Sequence, residues 1–346
     1  MLVLVTGANG HIGANVVRAL LVKGHKVRAF TRKGADLRGL EGLQIEHVNG
    51  DVMDLASLQS AAQGCDAIIH LAAVYKTIAK TAEEIVEPAI KGAECVFQAA
   101  HDAGIKRIVY TSSVASVGFS YNPNVLRTGD DWNDDAHNPY YVAKTQSEKK
   151  AQELARKFDI HTIVICPAIV LGAFDYRITP SNQLVMDLIN GTGQTYKGGL
   201  NLVDVRDVAA AHVAALDKGE NCRRYIIGGE NMEVKQFGQL IRKMTGIKPI
   251  HLPFGRKATL MTATIVERLC KLVGVTPPFT YDLVYEVAER FAYYNFLNTL
   301  EDLEITSRNG EEALASAVEW LLKTNKIKHS RHNKVQAAFE HYQQTR

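Results

Sequence analysis

A glycine-punctuated turn between an apolar run and a helical pattern, all within the first 25 residues, constrains this chain most. Leu2 to Val5 carry no charge and suit a parallel strand buried on both faces. Thr6-Gly7-Ala8-Asn9-Gly10-His11-Ile12-Gly13 turns the chain, and from Ala14 the apolar Val16, Val17, Leu20 and Leu21 take helical spacing toward Gly24. Each glycine has a physical task in such a turn. Gly7 permits a tight exit from the strand, Gly10 removes a Cβ so that backbone can approach a pyrophosphate, and Gly13 lets the helix lie close to the strand. A diphosphate then meets free N–H groups and the positive end of the helix dipole. The bland alternative is a glycine-rich turn that binds nothing, and the flanking strand and helix speak against it.

Lys26 to Thr31 reads as a second strand, and the residue after such a strand faces the adenosine ribose. An acid there would accept hydrogen bonds from the 2′-hydroxyl of NAD and repel a 2′-phosphate. Here Thr31 is followed by Arg32 and Lys33. Two cations and no acid favour a 2′-phosphate, so NADP is expected over NAD. An ordinary exposed basic loop would carry the same residues.

The alternation continues. Gln44 to Val48 is a third strand, leading to Gly50-Asp51-Val52 and a helix from about Leu55; Asp51 suits an adenine amino group or a helix cap. Asp66 to Leu71 is a fourth strand, after which small Ala72 and Ala73 would let backbone lie against a cofactor. His70 on it reads as a packed core histidine. Glu83 to Ala103 forms one long helix, and Lys106 to Tyr110 a fifth strand ending in Thr111-Ser112-Ser113. This order predicts an α/β fold with a doubly wound parallel sheet, the Rossmann architecture. Ser120 to Asn138 is a polar loop whose acids, Asp130, Asp131, Asp134 and Asp135, read as solvated turn formers rather than metal ligands. Pro139 opens a further helix, and Ile160 to Cys166 is another buried strand.

Past Pro167 the composition shifts toward glycine, polar residues and aromatics, as expected of a substrate-facing insertion. Leu202 to Val208 and Tyr225 to Ile227 return to strand-like patterns, while Val234 to Met244 and Leu260 to Val273 are amphipathic helices. Phe279 to Phe296 is rich in aromatics, suited to core packing, to covering an apolar substrate or to an oligomer interface. The expected division is a dinucleotide-binding domain over 1–166, with 201–228 returning to it. A smaller, mostly helical substrate-binding lobe takes 167–200 and 229–324, and 325–346 is a basic, solvated or frayed tail.

Composition narrows the class. A chain of 346 residues with 46% hydrophobic and 22% charged residues is ordinary for a soluble globular protein. A net charge of +3 gives no global reason to expect nucleic acid. Cys65, Cys95, Cys166, Cys222 and Cys270 lie in no metal-ligand spacing and read as thiols in a reducing compartment. No basic segment precedes Leu2 and no apolar run reaches membrane-spanning length, so a cytoplasmic location without signal peptide or membrane span is expected.

The chemistry lies in Tyr140-Tyr141-Val142-Ala143-Lys144, at the start of the helix after the acidic loop. Tyr140 and Lys144 are four apart and share a helix face. A phenol normally ionises near ~10, and an adjacent ammonium lowers that value, making Tyr140 a usable acid or base. Lys144 can also hold the nicotinamide ribose hydroxyls. Tyr141 has Thr145 in the corresponding place, so Tyr140 is the candidate. Ser113, just past the carboxyl end of the fifth strand, can hydrogen-bond a carbonyl oxygen and steady the alkoxide developing there. A lone Ser after a strand is usually a cap, and a lone Tyr-x-x-x-Lys arises by chance. Their order behind the glycine turn carries the reading.

TGANGHIG, GDVMDLASL, IIHLAA, YTSS, YYVAKTQSE, CPAIVLG and VDVRDVAAAHV together resemble the extended short-chain dehydrogenase/reductase pattern over residues 1–245. Glu87-Pro88-Ala89-Ile90-Lys91-Gly92 and Val27-Arg28-Ala29-Phe30-Thr31-Arg32 are most similar to its dihydroflavonol reductase and cinnamoyl-CoA reductase branch. The resemblance implies that Arg32 meets the 2′-phosphate and that Asp51 and Val52 meet the adenine. Leu71, Ala72, Ala73, Pro167, Val170 and Ser181 would flank the rest of the cofactor, beside Gly7, Asn9, Gly10, His11, Ile12, Gly13 and Lys33. It also implies dimers. The resulting expectation is an NADP-dependent reductase of a small-molecule ketone or aldehyde, with Ser113, Tyr140 and Lys144 as its catalytic group. The alternatives are a sugar-nucleotide epimerase or dehydratase retaining NAD, and a non-catalytic dinucleotide sensor.

Overall fold

The computed structural model describes residues 1–72, 83–275, 277 and 279–345. Its strands are β1 (Leu2–Thr6), β2 (Lys26–Thr31), β3 (Glu46–Asn49), β4 (Ala67–His70), β5 (Arg107–Thr111), β6 (His161–Pro167), β7 (Ile169–Leu171), β8 (Gln194–Tyr196), β9 (Gly199–Asp204), β10 (Arg224–Ile227), β11 (Glu230–Glu233) and β12 (Ile250–Leu252). The helices are α1 (His11–Val22), α2 (Leu55–Ala62), α3 (Glu83–Asp102), α4 (Pro139–Phe158), α5 (Pro180–Asn190), α6 (Val205–Ala214), α7 (Val234–Thr245), α8 (Arg256–Leu272), α9 (Tyr281–Val287), α10 (Leu297–Leu303), α11 (Gly310–Lys323) and α12 (His329–Gln344).

Seven parallel strands make the main sheet in the order β3-β2-β1-β4-β5-β6-β10. Chain progression reverses between β1 and β4, where Thr6 lies opposite His70, and open parallel sheets take their ligands at such a reversal. Alternate residues of the apolar strands enter two cores, as the pleat requires. Leu4, Ile68, Ile108 and Val164 pack with Leu58 of α2, Val96 and Phe97 of α3 and Leu154 of α4. Val3, Val5, Ile69, Val109 and Ile163 pack with Val16, Val17 and Leu20 of α1 and Val208 of α6 on the other face. The sheet is doubly wound, as the alternating sequence pattern requires.

A third core joins β7, β9 and β11 to α5, α7, α11 and α12, through Leu171, Leu188, Leu202, Phe237, Leu314 and Phe339 among others. Two segments differ from the sequence expectation. The strand-like run Leu202 to Val208 stays extended only to Asp204, whose carboxylate accepts from the Arg206 N–H at 2.8 Å and starts α6. That N-cap outweighs the β-branched residues beyond it. The basic end is not a frayed tail: α12 buries Val335, Phe339 and Tyr342. Its three apolar anchors recur at i, i+4 and i+7 on one helix face, but the polar and basic residues around them hide them from a reading by composition. Phe339→Ala should therefore lower unfolding free energy by about 3–5 kcal/mol, read as the shift of a urea unfolding midpoint. An unchanged midpoint would show that α12 adds nothing to this core.

Candidate active site

The glycine turn is held against two neighbouring strands. Gly7 adopts φ +70°, donates its N–H to Phe30 O at 3.1 Å, and would carry a Cβ within 2.9 Å of Ala72 N. Only glycine meets both demands. Gly10 opens α1 with no side-chain cap, and the first turn closes from Ala14 N to Gly10 O at 2.9 Å. His11, Ile12 and Gly13 thus present the uncapped N–H groups of a helix start. A Cβ on Gly13 would strike the Gly7 carbonyl, so its absence sets the loop-to-helix approach. An uncapped helix start behind a close-packed glycine turn fits a dinucleotide diphosphate.

The other expected cofactor residues fall into different surroundings. Asn9 donates to Asp36 O at 3.1 Å, which ties the turn to the segment after β2. His11 is buried with Nδ1 3.9 Å from the Asp175 carboxylate, and its Nε2 has no hydrogen-bond partner. Burial lowers its affinity for a proton despite that carboxylate. Ile12 is half-buried and packs into the core beneath α1. Thr31 is buried against His47 at 2.7 Å, and Arg32 and Lys33 stand exposed directly after it. Of the two uses open to Asp51, capping α2 belongs instead to Asp54, which accepts from Ala56 N at 3.2 Å. Asp51 accepts from Met53 N at 2.9 Å within a turn, and the half-buried Val52 comes next. Leu71 and Ala72 bond back to Thr6 O and Oγ1 at 3.2 and 3.4 Å. Ala73 lies outside the described residues. Pro167 ends β6, Val170 is buried on β7, and Ser181 sits half-buried in the first turn of α5.

The three candidate catalytic residues sit at one sheet edge. Asn138 caps α4 by accepting from Tyr140 N at 3.0 Å, with Pro139 in the first turn. That cap fixes where Tyr140 begins the helix, with its largely buried ring edge-on to Tyr141 at 5.6 Å. One turn later, Lys144 Nζ donates to the carbonyls of Thr111 and Ser112, both at 3.5 Å, where β5 ends. Ser113 is the next residue, and its Oγ accepts from Ala115 N at 3.1 Å to cap a short 3-10 turn. Beneath them, His70 bonds Thr6 at 2.8 Å and stacks on Tyr110. Burial, helped by the Lys144 charge, pushes it down to about 3, which leaves a neutral core histidine. Burial likewise pushes the Lys144 ammonium down to about 8, against the pull of Glu148.

Glu148 closes the YYVAKTQSE run and is a buried neighbour of Lys144 that the sequence reading gave no role. It lies one turn beyond Lys144, fully buried, and accepts from Ser112, from Ser116 at 2.5 Å and from Arg224 Nε. Arg224 also donates to the carbonyls of Gly129 and Asp131 and lies 3.8 Å over the Trp132 ring. Its spacing from Tyr140 and Lys144 could have flagged Glu148, but nothing local marks Arg224. Three of the four acids of the loop are paired: Asp131 with Arg127 at 2.7 Å, Asp134 with Lys149 at 2.7 Å and Asp135 with Arg290 at 2.8 Å. Aromatics after Phe279 contribute to packing there: Tyr294 is buried and donates to Gly118 O at 3.2 Å, and the His137 and Tyr285 rings lie 4.0 Å apart, tilted by 31°.

The family model described as NAD dependent epimerase/dehydratase family matches residues 3–228. The chain belongs to that family. It is 31% identical over 334 residues to the "Putative dihydroflavonol 4-reductase" of Synechocystis sp., covering 91% of this chain and 93% of that protein. It is 32% identical over 259 residues to cinnamoyl-CoA reductase 1 of Oryza sativa subsp. japonica, covering 70% and 75%. The crystal structure of gox2253 superposes with a TM-score of 0.84 at 27% identity, over 94% of this chain and 99% of that one. The branch expected from the sequence is one that these two relatives represent, and this family member is an NAD(P)-dependent oxidoreductase. No helix among the described residues is long and apolar enough to cross a membrane.

The Glu148–Arg224 pair makes a direct prediction. Arg224→Met should cost about 3–5 kcal/mol by stranding a buried carboxylate, whereas Glu148→Gln with Arg224→Met should cost clearly less than the two single changes summed. Additive losses in chemical denaturation would show that the two side chains do not act as a pair.

Proposed function

We propose that this chain is an NADP-dependent carbonyl reductase, with alcohol oxidation as the same reaction run backwards. The observation that carries the proposal is the placing of Lys144 against the Thr111 and Ser112 carbonyls, beside Ser113 and one helical turn from Tyr140. The cofactor, when bound, supplies the hydride. Ser113 Oγ accepts from the Ala115 N–H, which leaves its O–H proton to donate to the substrate oxygen and stabilise the charge developing there. Tyr140 donates the phenolic proton to that oxygen, and the Lys144 ammonium stabilises the phenolate left behind. The uncapped start of α1 takes the diphosphate, and Lys144 the nicotinamide ribose. Asp51 and Val52 would border the adenine.

The cofactor choice rests on the residues just after β2. Thr31 is turned inward to His47, so the groups offered to the ribose are the exposed Arg32 and Lys33. An epimerase or dehydratase retaining NAD would be served by an acid at that place. The reductase names of the two protein relatives agree with the first reading. A ketone or aldehyde of small-molecule size is the substrate class.

Tyr140→Phe should lower NADPH oxidation across a carbonyl panel by about 10²–10⁴-fold, with the NADPH dissociation constant within about threefold of wild type. Retained turnover would remove Tyr140 as the acid. Arg32→Ala should weaken NADPH by about tenfold, a loss of ~1.4 kcal/mol, and leave NADH nearly unchanged. Equal weakening of both would separate Arg32 from the 2′-phosphate. Lys144 is charged below its value of about 8 and neutral above it. Reductive kcat/KM should therefore fall as pH rises through about 8, because the ammonium that stabilises the Tyr140 phenolate is lost. A flat profile from neutral pH to the ordinary lysine range would contradict that dependence.

A further inference from the structure

Helix α8 carries its apolar side outward. Its inner face, through Leu260 and Ala263, packs on Val284 and Ala288 at α9. The opposite face presents Met261, Ile265, Leu269 and Leu272, which are 63%, 51%, 57% and 82% exposed. These residues recur at helical spacing, so they form one stripe rather than scattered surface residues. Val273, 71% exposed, extends the stripe past the helix end, and Phe254, 55% exposed, precedes it. Such a continuous apolar surface marks an interaction face.

Charge identifies the occupant. Lys257, Arg268 and Lys271 run along one edge of the stripe, and all three are exposed. The acid of the helix, Glu267, lies on the inner side, where it accepts from Tyr281 N at 3.0 Å and pairs with Lys271 at 3.0 Å. The outer edge therefore keeps the charges of Lys257 and Arg268. A second copy meeting this face with its α8 antiparallel across a two-fold axis would bring like-charged edges together, with no carboxylate of α8 on the outer face to separate them. An anionic lipid surface answers both features at once: it takes the apolar stripe among its acyl chains and neutralises the adjoining cations.

We propose that α8 is a docking helix that lies in the interface of an anionic lipid bilayer, apolar stripe inward. Glu286 on α9 accepts from His137 N and Asn138 N at 2.7 and 3.1 Å, and Asn138 caps α4 at Tyr140. Helix α9 thus stands between the docking helix and the amino end of the Tyr140 helix, touching both. The docking itself does not depend on the reductase reading.

The test is co-sedimentation of the full chain with vesicles of equimolar phosphatidylcholine and phosphatidylglycerol, beside vesicles of phosphatidylcholine alone. The expected result is binding to the anionic vesicles, weakened by salt, with about tenfold less partitioning for Ile265→Glu with Leu269→Glu. Both side chains are more than half exposed, so that variant should keep the wild-type unfolding midpoint and its NADPH affinity. Failure of wild type to sediment with anionic vesicles overturns the proposal. So does equal sedimentation of the folded variant, or wild-type self-association that the variant abolishes without any vesicle binding. Loss of the reductase reading through Tyr140→Phe would leave vesicle binding untouched.

Discussion

The buried contact between Glu148 and Arg224 is the constraint that much of the remaining structure answers to. A carboxylate and a guanidinium removed from water lose several kcal/mol of hydration each, and only near-complete hydrogen bonding offsets that loss. The chain supplies it from four places: Ser112 and Ser116 after β5, the carbonyls of Gly129 and Asp131 in the acidic loop, α4 itself and β10. Each of those segments must therefore sit where it does, or a charge is stranded. Trp132 closes over the guanidinium and keeps water away. The same anion also bears on Lys144. Burial alone would drive the ammonium toward its neutral form, and Glu148 one turn away opposes that drive. One pair thus links the closure of the fold to the charge available at the candidate active site.

The parallel sheet does the rest of the assembly. Because every strand of the main sheet points the same way, the turns after β1, β2, β4, β5 and β6 all emerge at one edge. The glycine turn, Arg32, Leu71 and Ala72, Ser113 and Pro167 are collected there without any side chain having to reach across the molecule. Gly7 packed against Ala72 shows how tight that edge is at the reversal between β1 and β4. A scaffold of this kind fixes positions on strands and helices, which hold geometry better than long loops do.

Much of what depends on local spacing was readable from the chain. The strand–glycine–helix order, Pro139 at the start of α4 and the four-residue interval from Tyr140 to Lys144 each encode their own geometry within one or two turns. The doubly wound sheet came from the same short-range patterns. Contacts between distant segments were not readable. Glu148 and Arg224 are 76 positions apart, and no periodicity announces that they meet. The switch from strand to helix at Val205 turned on one side-chain cap at Asp204, which outweighed a run of residues suited to a strand. The assignment of the α2 cap to Asp54 rather than Asp51 was likewise a matter of which carboxylate reached the helix N–H.

Helices α8 and α12 show the same limit from opposite sides. The α12 sequence is polar enough to suggest solvent all round, yet Val335, Phe339 and Tyr342 are enough to seat it on α7 and α11, because three well-placed apolar side chains suffice when a core is waiting for them. The α8 sequence has the stronger apolar pattern, yet most of that pattern faces away from the protein. Periodicity states that a helix has an apolar side; it does not state what lies opposite. In α12 the opposite surface is the protein's own third core. In α8 the core is satisfied by Leu260 and Ala263 on the inner face, which leaves the larger stripe with no intramolecular use among the described residues. An apolar face of that extent lowers solubility unless something covers it. Its retention beside a row of cations is what a reversible attachment to an acidic lipid surface would require.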